Sequence, residues 1–185
     1  MKSPLHRSGE GSGGRGLSIL LLSDPHAHWS PRYLHYAEPC DEIWLAGDIV
    51  DPTICDRLEA TGKPCRIVYG NADGPDLRLR YPEHQRFELE GLSIWMTHIG
   101  GYPGHWPRAI RQELLAHPVD LMVCGHSHIC RAMYDHQLRT LLLNPGACGT
   151  YGQQTVRTLM RFTLHAGRVE SLEVIELVDS KGQEA

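Results

Sequence analysis

Short apolar runs alternate with polar, turn-rich stretches along most of this chain. Leu17–Leu22 (LSILLL) is almost continuously apolar and has the length of a strand buried on both faces. Glu42–Ala46 (EIWLA), residues 66–69 (RIVY) and residues 121–124 (LMVC) read the same way. Between them lie segments of helical character: Arg32–Ala37, residues 53–60 and Arg108–Ala116. In the last of these, Ile110, Leu114 and Leu115 are expected to share one face. Strand–helix–strand alternation predicts an α/β domain.

Further along, the pattern turns to strands. Residues 86–89 and Leu92–Thr97 flank Glu90-Gly91, a two-residue hairpin signal. Residues 129–134, 141–143, 156–164 and Arg168–Glu176 read as further strands, the last two joined through His165-Ala166-Gly167. The sum is an α/β fold with four layers, an αββα sandwich of two mixed β-sheets flanked by helices. Residues 1–16 are rich in Gly and Ser without apolar period, and read as a flexible N-terminal tail. One domain is expected over residues 17–179, with a short C-terminal tail at 180–185. A length of 185 residues suits one domain with one substantial core.

Charge and cysteine usage narrow the function classes. The formal net charge of −4 provides no basic field for a nucleic-acid backbone. Arg78, Arg80 and Arg86 form a small local cluster, read as solvated surface. No apolar run approaches the roughly 20 residues of a membrane span, and no secretory signal is seen, so the expected location is cytoplasmic. The six cysteines form no C-x-x-C pair and read as reduced, mostly buried thiols. Twelve histidines are many for this length, and their positions matter more than their number.

Those positions fall at the ends of the apolar runs. Asp24 and His26 follow the first, Gly47-Asp48 ends the second, and Gly70-Asn71 the third. His98 ends LSIWMT, and Gly125-His126-Ser127-His128 ends LMVC. In open α/β sheets, binding sites form outside the carboxyl ends of the strands. Each piece alone has a plain explanation: Asp24 as a turn cap, Gly-Asp and Gly-Asn as turn pairs, His98 as a core histidine. Two histidines one residue apart after a buried strand seldom have a packing reason. Jointly the residues predict one metal site at one sheet edge.

The order D-x-H, G-D, G-N, H, G-H-x-H resembles that of the calcineurin-like metallophosphoesterases. Here it stands as Asp24-Pro25-His26, Gly47-Asp48, Gly70-Asn71, His98 and Gly125-His126-Ser127-His128. Spacing and short length are similar to the small bacterial phosphodiesterase branch. The resemblance implies a binuclear metal site in which Asp24, His26 and His128 bind one ion, and Asn71, His98 and His126 the other. Asp48 would bridge the two, and Asp48, Asn71 and His98 would be central to catalysis. Many members of the larger family carry a histidine directly after the motif asparagine, able to protonate a leaving group. Ala72 stands there in this chain.

Two cations can neutralise phosphoryl oxygens and make hydroxide available near neutral pH. Mixed nitrogen and oxygen ligands suit manganese, the expected occupant, with iron, zinc, nickel and cobalt as alternatives to it. Two divalent ions, two carboxylates and a bridging hydroxide leave about one net positive charge for an anionic ester. The expected activity is hydrolysis of small phosphodiesters by that hydroxide. A phosphomonoesterase, a nuclease or a non-catalytic metal-binding scaffold are the competing readings. The expected partner is a small phosphoester, with no membrane and no long nucleic acid; homo-oligomerisation stays open. Four residues keep two readings each. His28 contacts substrate or is merely exposed, and Asp73 orients a ligand histidine or caps a turn. Tyr102 and His105 wall the substrate pocket or belong to an ordinary glycine-rich loop. Asn144-Pro145-Gly146 is expected to shape a loop near the site.

Overall fold

The short apolar runs become strands with a buried layer on each side. The structure, a computed structural model, describes residues 14–177. In chain order these form β1 (Leu17–Leu22), α1 (Arg32–Ala37), β2 (Glu42–Ala46), α2 (Pro52–Glu59), β3 (Cys65–Val68), α3 (Pro75–Arg80) and β4 (His84–Leu89). There follow β5 (Leu92–Thr97), α4 (Arg108–Ala116), β6 (Leu121–Val123), β7 (Cys130–Asp135), β8 (Thr140–Pro145), β9 (Thr158–His165) and β10 (Arg168–Glu176).

One sheet has the order β10-β9-β1-β2-β3 and the other β4-β5-β6-β8-β7. In the first, β1, β2 and β3 are parallel, while β9 and β10 add antiparallel. In the second, β5, β6 and β8 are parallel, with antiparallel β4 and β7 at the edges. Both sheets are therefore mixed, as expected.

Successive side chains of a strand point to opposite faces. In β1, Leu20 and Leu22 join the layer under the helices, while Ile19 and Leu21 join the layer between the sheets. β2 divides the same way, Ile43 and Leu45 against Trp44 and Ala46. A strand buried on both faces has no polar side to show, which is why these runs lack alternation. Tyr33 of α1, Ile54 and Leu58 of α2 and Leu77 of α3 cover the first sheet. Leu114 of α4 covers the second, against Trp95, Met122 and Leu142. The result is the four-layer αββα sandwich. Trp44 ties its middle together, edge-on to Phe87 of the opposite sheet and Phe162 of its own.

Several local expectations are corrected. α3 was not expected; only Leu77 of its six residues is buried, so no apolar period marks it. Pro75 at its first turn starts it. α2 begins at Pro52, capped by the Asp51 side chain accepting from the Thr53 N–H. Leu115 is exposed rather than sharing the face of Ile110 and Leu114, because five residues turn about 140° around a helix. β9 starts at Thr158, leaving Val156 exposed outside it. The arginine cluster is not merely solvated: Arg80 pairs with Asp56 and Glu59 of α2, and Arg86 with Glu113 of α4. The Glu90-Gly91 hairpin is as expected, with φ of 50° and 80°. Residues 1–13 of the expected tail, the domain end at 178–179 and the tail at 180–185 lie outside the described residues. Among the described residues no helix is long and apolar enough to cross a membrane.

Leu21 is fully buried between the sheets. Leu21→Ala is expected to cost roughly 2–5 kcal/mol of unfolding free energy. Urea denaturation of metal-stripped protein would measure it, and a cost near zero would mean the inter-sheet layer is not packed as described.

Candidate metal centre

The parallel strands β1, β2, β3, β5 and β6 end at one edge, and their following turns are laced together. Asp24 N–H donates to the Gly47 carbonyl at 3.0 Å and His26 N–H to that of Asp48 at 3.0 Å. In the other sheet, Gly125 N–H donates to the His98 carbonyl at 3.0 Å. Five candidate ligands have left-handed backbone: Asp24 (φ 54°), His26 (45°), Asp48 (52°), His126 (65°) and His128 (56°). Such conformations cost on the order of 1 kcal/mol or more each and cluster where function demands them. The turns also pass very close together. A Cβ on Gly70 would collide with Asp48, and one on Gly125 with Ser23 and Asp24.

Each carboxylate has one oxygen tied down and one aimed inward. Asp24 Oδ2 accepts from Ser23 Oγ–H at 2.5 Å and from His126 N–H at 3.0 Å. Its Oδ1 faces three imidazole Nε2 atoms: His128 at 3.2 Å, His26 at 3.8 Å and His98 at 3.9 Å. Asp48 Oδ1 accepts from Ala72 N–H at 2.8 Å. Its Oδ2 lies 3.2 Å from His98 Nε2 and 3.6 Å from His26 Nε2. Two compact triads result, Asp24–His26–His128 and Asp48–His98–His126. Asp48 Oδ2 reaches a histidine of each.

The histidines are turned by their other nitrogens. His98 Nδ1 lies 2.7 Å from the Ala46 carbonyl, which can only accept, so Nδ1 carries the proton. His128 Nδ1 lies 3.0 Å from Gln154 Oε1 with the same consequence. In the neutral rings, Nε2 therefore presents a lone pair toward a carboxylate oxygen. Asp24 Oδ1 and His98 Nε2 are buried without a hydrogen-bond partner. Lone pair faces lone pair, an arrangement that only a proton or a cation makes attractive. The donor set of imidazole nitrogen and carboxylate oxygen fits a transition-metal dication.

Protonation equilibria carry the same signature. For His98, burial opposes the charge, yet the nearby Asp48 and Asp24 carboxylates outweigh it and raise its pKa above the ordinary 6.5. His128 is raised first by Asp24, against burial. His26 is lowered, chiefly by burial. For Asp48, burial pushes up, but His98, the Ala72 N–H and His26 together hold its carboxyl below the usual range.

The other expected residues divide. The Asn71 side chain is exposed, one residue from the Ala72 N–H that binds Asp48. Arg78 holds that turn, donating to the Gly70, Asn71 and Asp73 carbonyls. Asp73 does not orient a histidine; its buried carboxylate accepts from Gly70 N–H and Val50 N–H, both at 2.7 Å, joining the turns after β2 and β3. His28 Nε2 accepts from Arg157 at 2.7 Å. Tyr102 packs beside α4 under Arg131, with the exposed His105 ring against it. Asn144 does shape the site loop, donating to the Gly125 carbonyl at 2.7 Å. Sequence reasoning missed Ser23, Gln154, Arg78 and Tyr151, whose ring centroid is 4.6 Å from that of His26. Ser23 adjoins Asp24 and could have been found; the others have no local signal. A cleft of about 390 Å³ opens beside the triads, lined by His126, His128, Ile129, Gln153 and Gln154 among others.

Comparison with known proteins identifies the family and the fold. Residues 17–167 match the family described as Calcineurin-like phosphoesterase superfamily domain. A relative from Methanothermobacter thermautotrophicus, named "Probable metallophosphoesterase", is 32% identical over 136 residues, 70% of this chain and 76% of the relative. Among solved structures, a novel archaeal phosphodiesterase superposes with a TM-score of 0.70 at 20% identity, covering 87% of this chain and 100% of that one. Wild-type Vps29 from Entamoeba histolytica, complexed with Zn²⁺, gives 0.60 at 20% identity, covering 86% and 99%. At such identities these two likenesses are of fold.

Protons and cations compete for the same lone pairs. With His98 and His128 raised, acidification is expected to weaken Mn²⁺ binding from above pH 6.5 downward. The Asp48 carboxylate stays ionised throughout that range. Titration of metal-stripped protein from about pH 8 to about pH 5 would show it. An affinity that stays flat would contradict coordination by these histidines.

Proposed function

The chain belongs to the calcineurin-like phosphoesterase superfamily, a metal-dependent family, and from that premise we propose that it hydrolyses small phosphodiesters at two divalent cations. Asp24, His26 and His128 would hold one, Asn71, His98 and His126 the other, and Asp48 would be shared. The observation that carries this is the pair of carboxylates, each tied by one oxygen and aimed by the other at lone-pair nitrogens across the sandwich. Manganese is the favoured occupant. Bound there, the cations would neutralise phosphoryl oxygens and activate water near neutral pH.

The protein's own groups set the rest of the chemistry. Asp48 spans both triads because its Oδ1 is held by Ala72 N–H, leaving Oδ2 at the centre. His98, 2% exposed, keeps its inward nitrogen deprotonated by spending its proton on the Ala46 carbonyl. His126 and Asn71 are exposed, and His126 lines the cleft. The residual single positive charge counted from the ligands matches the single negative charge of a diester. Ala72 supplies no proton at its position, so esters with good leaving groups are favoured. The cleft beside His126 and His128 has the volume of a small-molecule site. Six free cysteines fit a reducing compartment, and the cytoplasm is the proposed location.

Metal-stripped protein screened against mono- and diesters with each candidate cation tests the proposal. Diester hydrolysis that depends on added Mn²⁺ is expected, with aryl leaving groups faster than alkyl ones. Monoesters cleaved faster than diesters under every cation would overturn the diester preference. Asp48→Asn should lower bound metal and turnover together. Supports of metal ligands are worth roughly 10–100-fold, so losing a shared ligand should cost at least about 100-fold. Full activity in that variant with two cations bound would remove Asp48 from its role.

A further inference from the structure

The segment joining β8 to β9 meets the candidate centre on one side only. Cys148 N–H donates to the Ser23 carbonyl at 2.9 Å and Gly149 N–H to that of Asp24 at 3.2 Å. These bonds fix the backbone that presents Asp24 and His26. The Tyr151 ring lies against His26. Gln154 Oε1 accepts from His128 Nδ1–H at 3.0 Å. The orientation of that amide is itself determined: its Nε2 donates to the Gly149 carbonyl at 3.2 Å and the Tyr151 carbonyl at 2.6 Å. Reversed, it would lose both bonds and set its oxygen against two carbonyl oxygens. Gly152, at φ 118°, runs so close to the His128 ring that an added Cβ would collide with Nδ1.

All these contacts reach Asp24, His26, His128 or the adjoining Ser23. The other triad is held mainly from elsewhere, although the His126 N–H donates to Asp24 Oδ2. Asp48 is tied by Ala72 N–H, and His98 by the Ala46 carbonyl. The turn before His126 is tied by Asn144. We infer that residues 148–154 form a positioning strap for one cation position, made by Asp24, His26 and His128, and that Gln154 is its positioning residue, fixing the His128 tautomer. The strap presupposes the two-cation centre proposed above and divides its two positions into separately supported halves. Gln154 also lines the cleft beside the triads, but its Oε1 is engaged by His128 Nδ1–H, so its effect on the cation position runs through that ring. Hydrogen-bonding partners of metal-binding histidines are worth roughly 10–100-fold in affinity.

Calorimetric titration of Mn²⁺ into metal-stripped full-length protein reads both positions separately. Wild type should take up two cations per chain. Gln154→Leu should weaken one by roughly 10–100-fold and leave the other within about threefold. His128→Ala should abolish the same position, and adding Gln154→Leu to it should change the remaining affinity by less than about twofold. A merely structural Gln154 would fail that last comparison, lowering the surviving position in both backgrounds and overturning the inference. Gly152→Ala, whose Cβ would meet both Gln154 Oε1 and His128 Nδ1, disturbs the same contact and should weaken the same single position; it serves if Gln154→Leu does not fold. Wild type taking up two cations, both weakened equally by Gln154→Leu, would refute the strap alone. Wild type taking up fewer than two would refute the two-cation centre, and the strap with it.

Discussion

The structure depends on an unfavourable confrontation. Carboxylate oxygens on turns of one sheet are pointed at imidazole lone pairs on turns of the other, at 3.2 Å for both the Asp24–His128 and Asp48–His98 pairs. Left neutral, each contact sets electron density against electron density; left charged, each carboxylate is desolvated. Folding brings such groups together only if the rest of the molecule outweighs the cost. The rest is two apolar layers and a tightly packed inter-sheet core that make the sheet edges rigid. Because the opposed groups come from different sheets, the separation of the sheets sets the separation of the ligands. Trp44, edge-on to both Phe87 and Phe162, lies in the layer that fixes that spacing.

The strain concentrates where this logic places it. Asp24, His26, Asp48, His126 and His128 all take left-handed backbone, while turn residues such as Glu90 and Ala166 do so only to close hairpins. A strand-end residue in that conformation bends sharply and shows its side chain to the edge instead of to a sheet face. The close passages at Gly70 and Gly125 serve the same end, bringing one turn against the carboxylate of another. Local geometry, hydrogen bonding and electrostatics thus pull against stability at one spot and support it elsewhere, the usual mark of a functional site.

Much of this was legible in the sequence, for a physical reason. Strands buried on both faces are continuous apolar runs, and ligands at strand ends directly follow those runs. Chain order therefore displays the centre: Asp24 after LSILLL, Asp48 after EIWLA, His98 after LSIWMT. What stayed hidden acts through the fold rather than through a run. Helix α3 buries only Leu77, so it leaves no period. Gln154 lies 26 residues from His128 in a glycine-rich loop, and nothing near it in the chain announces the contact. Asp73 looked equally like a histidine's partner or a turn cap, and its role in joining two turns through Gly70 and Val50 depends on tertiary proximity. The Ala46 carbonyl that orients His98 is a backbone group, which no side-chain pattern can reveal.

The two triads differ in how they are held, and the difference bears on how the centre is assembled. His98 and Asp48 are buried and oriented by backbone groups, Ala46 and Ala72, that belong to regular strands or adjoin them. These two residues are held by the sandwich itself, while His126 beside them is exposed. His128 is partly exposed and oriented by a side chain from a loop that also stacks Tyr151 on His26. Loops open at lower free energy than core strands. In the proposed two-cation centre, the position made by Asp24, His26 and His128 would then depend on the local stability of the β8–β9 connection, and the one that includes His98 more on the global stability of the fold. Such a centre would keep Asp48, its proposed shared carboxylate, held by the fold, so that local loosening of the loop would alter one position without dismantling the other.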